Sequence, residues 1–137
     1  MLNQYWVKEL CSSAYYFSPM LAVAMDKLTV LLVDIESRRI IREFTDNAGS
    51  ICDMTCSADF KWLIAATSDS SIKTWDISSG KLVDSFSVTP LCVSLTMSPS
   101  GEYLATVHAG SPGIYYYSNL PTTLFYSLLQ CFTPSIT

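Results

Sequence analysis

One period runs through this chain and limits what it can fold into. Leu21-Ala22-Val23-Ala24-Met25-Asp26 is repeated in kind by Leu63-Ile64-Ala65-Ala66-Thr67-Ser68-Asp69 and by Leu104-Ala105-Thr106-Val107-His108, the leading leucines standing at nearly equal intervals. A turn-like triplet precedes each copy: Phe17-Ser18-Pro19, Cys56-Ser57-Ala58 and Met97-Ser98-Pro99. A second apolar run follows each: Thr29 to Asp34, Ile72 to Asp76 and Ile114 to Ser118, with Asp34, Asp76 and Ser118 again evenly spaced. Ile40-Ile41-Arg42-Glu43-Phe44 recurs after the same interval as Leu82-Val83-Asp84-Ser85-Phe86. Self-similarity at such a period marks an array of stacked units, each unable to bury its apolar surface alone.

Within a copy, runs of four to six residues rich in Val, Ile, Thr and Tyr suit a pleated sheet. Between them lie Ser98-Pro99-Ser100-Gly101, Asp69-Ser70-Ser71 and Ser78-Ser79-Gly80, whose residue types favour turns. No long helical stripe interrupts the pattern. The central copy predicts strands at Cys52–Cys56, Trp62–Thr67, Ile72–Asp76 and Leu82–Phe86. Four strands in about 42 residues make one blade of a β-propeller. The expected fold is therefore all-β, a partial β-propeller of about three four-stranded antiparallel blades. Residues 1–13 are unassigned, 14–118 hold the blades (about 14–44, 46–86 and 88–118, the first incomplete), and 119–137 form an apolar tail, either a short helix or a covering strand.

Composition narrows the class. Half of the 137 residues are hydrophobic and 15% are charged, which argues against disorder. Eight Lys and Arg in a chain of net charge −4 argue against binding driven by phosphate neutralisation. The first residues lack the pattern of a secretory signal, and the longest apolar runs fall far short of the ~20 residues of a membrane helix. Five cysteines at irregular spacing (Cys11, Cys52, Cys56, Cys92, Cys131) are expected as reduced, buried thiols in an intracellular chain.

From Asp46 to Phe86 the chain resembles the WD-repeat family, through Ile51-x-x-Met54-x-Cys56-Ser57, Trp62-Leu63-Ile64-Ala65-Ala66, Asp69-x-x-Ile72-Lys73-Thr74-Trp75-Asp76 and Gly80. The resemblance implies a hydrogen-bonded structural tetrad, with Asp69 and Trp75 in place, Thr67 as the hydroxyl and Asn47 where the family has a His. The flanking copies depart further, with Val33-Asp34 and Tyr117-Ser118 in place of Trp75-Asp76. The family's Pro-Asp-Gly turn stands as Ala58-Asp59-Phe60 and as Pro99-Ser100-Gly101. Residues 20 to 120 are similar, more narrowly, to Utp-twenty-one type components of the small-subunit processome. That similarity rests on Val33-Asp34-Ile35-Glu36-Ser37-Arg38-Arg39-Ile40, Ile51-Cys52-Asp53-Met54-Thr55 and Met97 to Thr106 with Gly113-Ile114-Tyr115. It implies a non-enzymatic nucleolar scaffold in small-subunit ribosomal RNA processing. Processome proteins would be its partners, and the U-three small nucleolar ribonucleoprotein an indirect one; neither membrane, small-molecule substrate, cofactor nor metal is implied.

Other readings carry less. His108 is the single histidine and reads as a structural or turn residue. Cys52 and Cys56 are four residues apart on one strand, roughly 13 Å, too far for one disulfide or one zinc. Asp69 and Asp76, as an acid/base pair with or without His108, would make a hydrolase; ordinary blade turns explain both. Arg38-Arg39-Arg42 reads as a solvated turn, and Tyr115-Tyr116-Tyr117 as strand core with one ring outward. A different WD-repeat adaptor, in signalling or ubiquitin transfer, is the alternative, as is a shortened fragment without independent function. Three blades leave two apolar faces of roughly 400 Å² uncovered. On this reading Trp75→Ala abolishes cooperative unfolding, while His108→Ala changes stability by less than about 1 kcal/mol.

Overall fold

The computed structural model describes residues 13–17, 20–25, 29–45, 49–57, 59–120 and 123–132, with side chains from 20 to 117 within these. Among the described residues there are twelve strands and no helix. The first four are β1 (Ser13–Phe17), β2 (Met20–Met25), β3 (Thr29–Asp34) and β4 (Arg39–Thr45). Next come β5 (Ile51–Cys56), β6 (Trp62–Thr67), β7 (Ser71–Asp76) and β8 (Leu82–Ser87). The last are β9 (Cys92–Met97), β10 (Tyr103–His108), β11 (Ile114–Leu120) and β12 (Thr123–Phe132). Each set of four is a separate antiparallel sheet in chain order. The fold is a partial propeller of three blades.

Two features differ from the expectation. The first sheet has all four strands. The third takes its fourth strand from the apolar tail: β12 pairs along β11, with Tyr116 opposite Leu128 and Tyr117 opposite Ser127. Without it β11 would leave an edge of unpaired amides and carbonyls.

Strand alternation sends neighbouring side chains to opposite faces, and β6 uses both. Leu63 and Ala65 join Ala22, Ala24, Val30, Leu32, Phe44 and Trp75 in a core between the first and second sheets. Ile64 and Ala66 join Ile72, Cys92, Leu95, Leu104 and Tyr117 between the second and third. Cys56 belongs to the first of these cores and Cys52 packs against the second, so the two thiols lie on opposite faces. Between Ile51 and Asp53 a register shift in the β5–β6 pairing moves Cys52 to that side.

Polar contacts also cross between blades. Asp53 on β5 accepts from the Ser94 hydroxyl at 2.8 Å and from the Leu95 amide at 3.0 Å. Arg42 on β4 donates to the Ser78 carbonyl and lays its stem over Gly80, where a Cβ would come within 2.9 Å of its Cδ. Arg42 is therefore an inter-blade strut, a correction to the solvated-turn reading; Arg38 and Arg39 are exposed. Arg42 stands opposite Leu32 and two residues before Phe44, on the face turned toward the second sheet.

The turns repeat with the strands. Asp34 accepts from the Glu36 amide at 2.9 Å and the Ser37 hydroxyl at 2.9 Å. Asp76, one repeat later, accepts from the Ser78 amide at 2.8 Å and the Ser78 hydroxyl at 2.6 Å. Hydroxyl contacts from Ser37 and Ser78 hold these two carboxyls below the usual carboxylate range. Ser57 and Ser98 each accept the amide at the start of the next strand, from Trp62 at 2.9 Å and Tyr103 at 3.0 Å. In those turns Phe60 (φ 56°) fills the left-handed position that Gly101 (φ 75°) fills in the third blade.

Among the described residues two buried polar atoms, Arg42 Nε and the Thr74 hydroxyl, have no hydrogen-bond partner. Thr74 is fully buried. Leaving such a group unsatisfied costs roughly 1–3 kcal/mol, and an isosteric apolar replacement removes the cost. Thr74→Val is expected to raise stability by about 1 kcal/mol, read as a higher midpoint in urea with an unchanged m-value. An equal or lower midpoint would contradict this reading of the hydroxyl.

Candidate functional site

The central blade's motif residues fall into two groups. At the β6–β7 turn, Asp69 accepts hydrogen bonds from the Thr67 and Ser71 hydroxyls, and the Lys73 ammonium lies 3.3 Å away. Burial pushes the Asp69 carboxyl up, but Ser71, Thr67 and Lys73 together outweigh it and hold it low. Trp75 is at the other end of the strand pair. It stands opposite Leu63, whereas Thr67 stands opposite Ser71. Four steps of register, roughly 13 Å, separate the two positions along the strands. Thr67 and Trp75 are therefore not joined in one tetrad, a correction that follows from the β6–β7 register. Trp75 packs on Phe44, ring centroids 6.1 Å apart, and fills the core between the first two sheets. Asn47 lies outside the described residues. Asp69 precedes β7 and Asp76 ends it. A strand's length, roughly 20 Å, holds them apart, and they form no acid/base pair.

The third blade holds a connected polar chain that the sequence reading missed. His108 is buried, 4% exposed, and engages both ring nitrogens. Nδ1 meets the Pro90 carbonyl at 2.6 Å and Nε2 the Thr106 hydroxyl at 2.8 Å. A carbonyl only accepts, so Nδ1 carries the proton of the neutral ring and Nε2 accepts from Thr106. Thr106, its one proton given to His108, accepts from the Tyr117 phenol, which burial pushes up. The Tyr115 ring meets His108 edge-on at 4.6 Å. The signal was in the spacing: His108 stands one repeat after Thr67, and Tyr117 one repeat after Trp75. His108 is thus a core residue, and the expectation of a small effect on replacing it is overturned by its burial.

The thiols respond to burial. It pushes Cys56 up to about 12 and Cys92 up to about 11. Cys52, half-buried, is raised first by burial and then by Asp53 and Asp69. Among the described residues no group of His, Cys, Asp and Glu is placed to hold a metal ion, and no helix is long and apolar enough to cross a membrane.

Three four-stranded meanders, packed face to face with repeated turns, define this chain as WD-repeat β-propeller structure. The family model described as the WDR36/Utp21 second beta-propeller domain matches residues 9–131, and the chain belongs to that family. WD repeat-containing protein 36 of Homo sapiens is 45% identical over 103 residues, covering 75% of this chain and 12% of that protein. U3 small nucleolar RNA-associated protein 21 homolog of Schizosaccharomyces pombe is 39% identical, covering 75% and 11%. The Saccharomyces cerevisiae protein of that name is 30% identical, covering 74% and 11%. The chain therefore spans about one-eighth of the length of these relatives. Among solved structures, the Cps50 (Swd1) β-propeller domain of Myceliophteria thermophila superposes with a TM-score of 0.72 at 16% identity, covering 86% of this chain and 39% of that one. Hydrazine synthase of Kuenenia stuttgartiensis gives 0.65 at 15% identity, over 73% and 29%. These two likenesses concern the fold alone.

Two sets of measurements check the site. Trp75→Ala is expected to cost about 3–5 kcal/mol as a core truncation. His108→Ala should cost roughly 2–4 kcal/mol, because it leaves Thr106 and the Pro90 carbonyl without their partner. Both should melt well below the parent when followed by circular dichroism; a parental melt for His108→Ala would contradict the hydrogen-bonded chain. For the thiols, the folded state keeps protons above pH 9 that the unfolded state releases. Their stabilising effect is complete below pH 9 and falls as pH rises toward the folded values of Cys92 and Cys56. The fall is at most about 1.4 kcal/mol per pH unit per thiol. Urea titrations between pH 8 and 11 should show this slope, reduced in Cys56→Ala.

Proposed function

We propose that this chain is a non-enzymatic scaffold segment of a small-subunit processome component, acting in small-subunit ribosomal RNA processing in the nucleolus. The family match over residues 9–131 carries the reading. Two relatives are named for association with U3 small nucleolar RNA, which supports the same assignment. The geometry is consistent with scaffolding: the polar residues of the blade motifs are spent on turns and inter-sheet contacts, as with Asp53, Asp69 and Asp76. Its partners are processome proteins, with the U3 ribonucleoprotein reached through them. The chain's acidic balance agrees with an indirect contact to RNA, since direct phosphate binding draws on Lys and Arg.

The test is affinity capture of the tagged chain from nuclear extract, with the recovered RNA and proteins identified. Enrichment of U3 small nucleolar RNA together with processome proteins is expected. It should disappear when the capture is repeated with the Trp75→Ala protein. Recovery of a kinase or ubiquitin ligase without U3 RNA would replace this reading with that of a different adaptor.

A further inference from the structure

The second blade has a neighbour on each face, so what it still exposes is not a sheet face awaiting one. Among its described residues the exposed large apolar side chains are Phe60, Leu82 and Val83, at 49%, 46% and 44%. All three lie at one end, in the β5–β6 turn and just after the β7–β8 turn. The Ile77 amide donates to the Lys61 carbonyl and the Asp76 amide to the Lys81 carbonyl, both at 2.9 Å, which draws these turns together. Lys61 and Lys81 are exposed at the same end, and the Lys61 ammonium lies 5.1 Å from the centre of the Trp62 ring. The carboxylates there serve their own turns. Asp59 accepts from the Ser57 hydroxyl at 2.6 Å and the Lys61 amide at 3.1 Å, and Asp76 from the Ser78 amide and hydroxyl. At the opposite end of the blade stand Ser50, Ser68, Ser70 and Ser87, all small and polar.

We propose that this turn end of the second blade is a docking surface for an acidic, partly apolar segment of a partner protein, bound in extended form. Phe60 carries the argument furthest. It holds a left-handed backbone position (φ 56°) where the third blade has Gly101, and an exposed aromatic kept at a conformational cost points to a contact outside the fold. The charges select the partner. Asp59 and Asp76 already accept from turn donors, whereas the Lys61 and Lys81 side chains are exposed, which complements carboxylates on the partner. Leu82 and Val83 offer aliphatic contact between the two lysines' turns. From β6 to β8 is roughly 10 Å, crossed by about three residues of extended chain. Single-stranded RNA fits less well, since two aliphatic side chains give no ring for base stacking and the two carboxylates repel a phosphate backbone. The inference rests on the scaffold reading only in taking the partner to be a protein.

Fluorescence anisotropy with the purified chain tests this, using a short labelled peptide of alternating Glu and Leu, its Lys-Leu counterpart and an oligouridylate. The Glu-Leu peptide is expected to bind with a Kd of about 50 µM, more weakly as salt rises. The comparison is stringent, because a chain of net charge −4 would favour the Lys-Leu peptide if overall charge decided. Phe60→Gly should weaken binding at least about tenfold, while its urea midpoint stays at or above that of the parent because glycine suits the left-handed position. Lys81→Glu should weaken binding about fivefold. In the unmodified chain, the Glu-Leu peptide should slow hydrogen exchange at residues 59–62 and 76–83 and leave 68–71 unchanged, a readout that needs no variant. Absence of binding up to about 1 mM, equal or tighter binding of the Lys-Leu peptide or the oligouridylate, or affinity unaltered in both variants would overturn the proposal. Because no extract is used, its failure is separable from failure to capture U3 RNA.

Discussion

Everything in this fold depends on one shortage: a four-stranded sheet of short strands has two apolar faces and too little chain to cover either. β6 makes the consequence visible. Five of its six residues are buried, and they divide by alternation between two cores. A helix can bury one stripe and leave the rest wet, but a central strand of this kind needs a neighbour on each side. The adjacent blades supply them, so the blade is the unit of repetition while the inter-blade layer is the unit of stability. Polar cross-links such as Asp53 to Leu95 and Arg42 to Ser78 then fix how one sheet sits on the next.

The same constraint explains why the buried polar positions are filled so differently in successive copies. A buried hydroxyl, ammonium or imidazole is tolerated where its partners are built in beside it. The second blade uses Asp69 with Thr67, Ser71 and Lys73; the third uses His108 with Thr106, Tyr117 and the Pro90 carbonyl. Thr67 and His108 occupy equivalent strand ends yet belong to unrelated networks. What repeats is the requirement that the strand end be satisfied, and more than one set of side chains meets it.

This is also why the sequence was legible in some respects and opaque in others. Strand positions followed from the repeat period because apolar alternation is a property of each strand by itself. The central strands begin or end within one residue of expectation. Partnerships between strands depend on register, which a single bulge can shift. Trp75 and Thr67 were grouped by family resemblance, and the β6–β7 register separates them. His108, taken alone, offered no sign of burial; only its alignment with Thr67 in the preceding copy marks it as an inward position. The tail was ambiguous because an apolar segment after a proline fits a helix or a strand equally well until an open edge is there to receive it.

The division of labour between sheets and turns bears on scaffolding. The turns are held locally: Asp34 and Asp76 bind amides two residues ahead, and Ser57 and Ser98 bind amides five residues ahead. A turn closed by its own residues draws little on the core, so its remaining positions can change at small cost to the fold. Phe60 shows how far this freedom extends. It is 49% exposed and occupies a left-handed backbone position, where the third blade has Gly101. That conformation costs a non-glycine residue roughly 1–2 kcal/mol. The inter-blade layers are stable enough to carry that local cost. A framework with its stability in those layers can vary the surface at its turns, and separate surfaces on one rigid arc are what a scaffold needs in order to meet more than one partner.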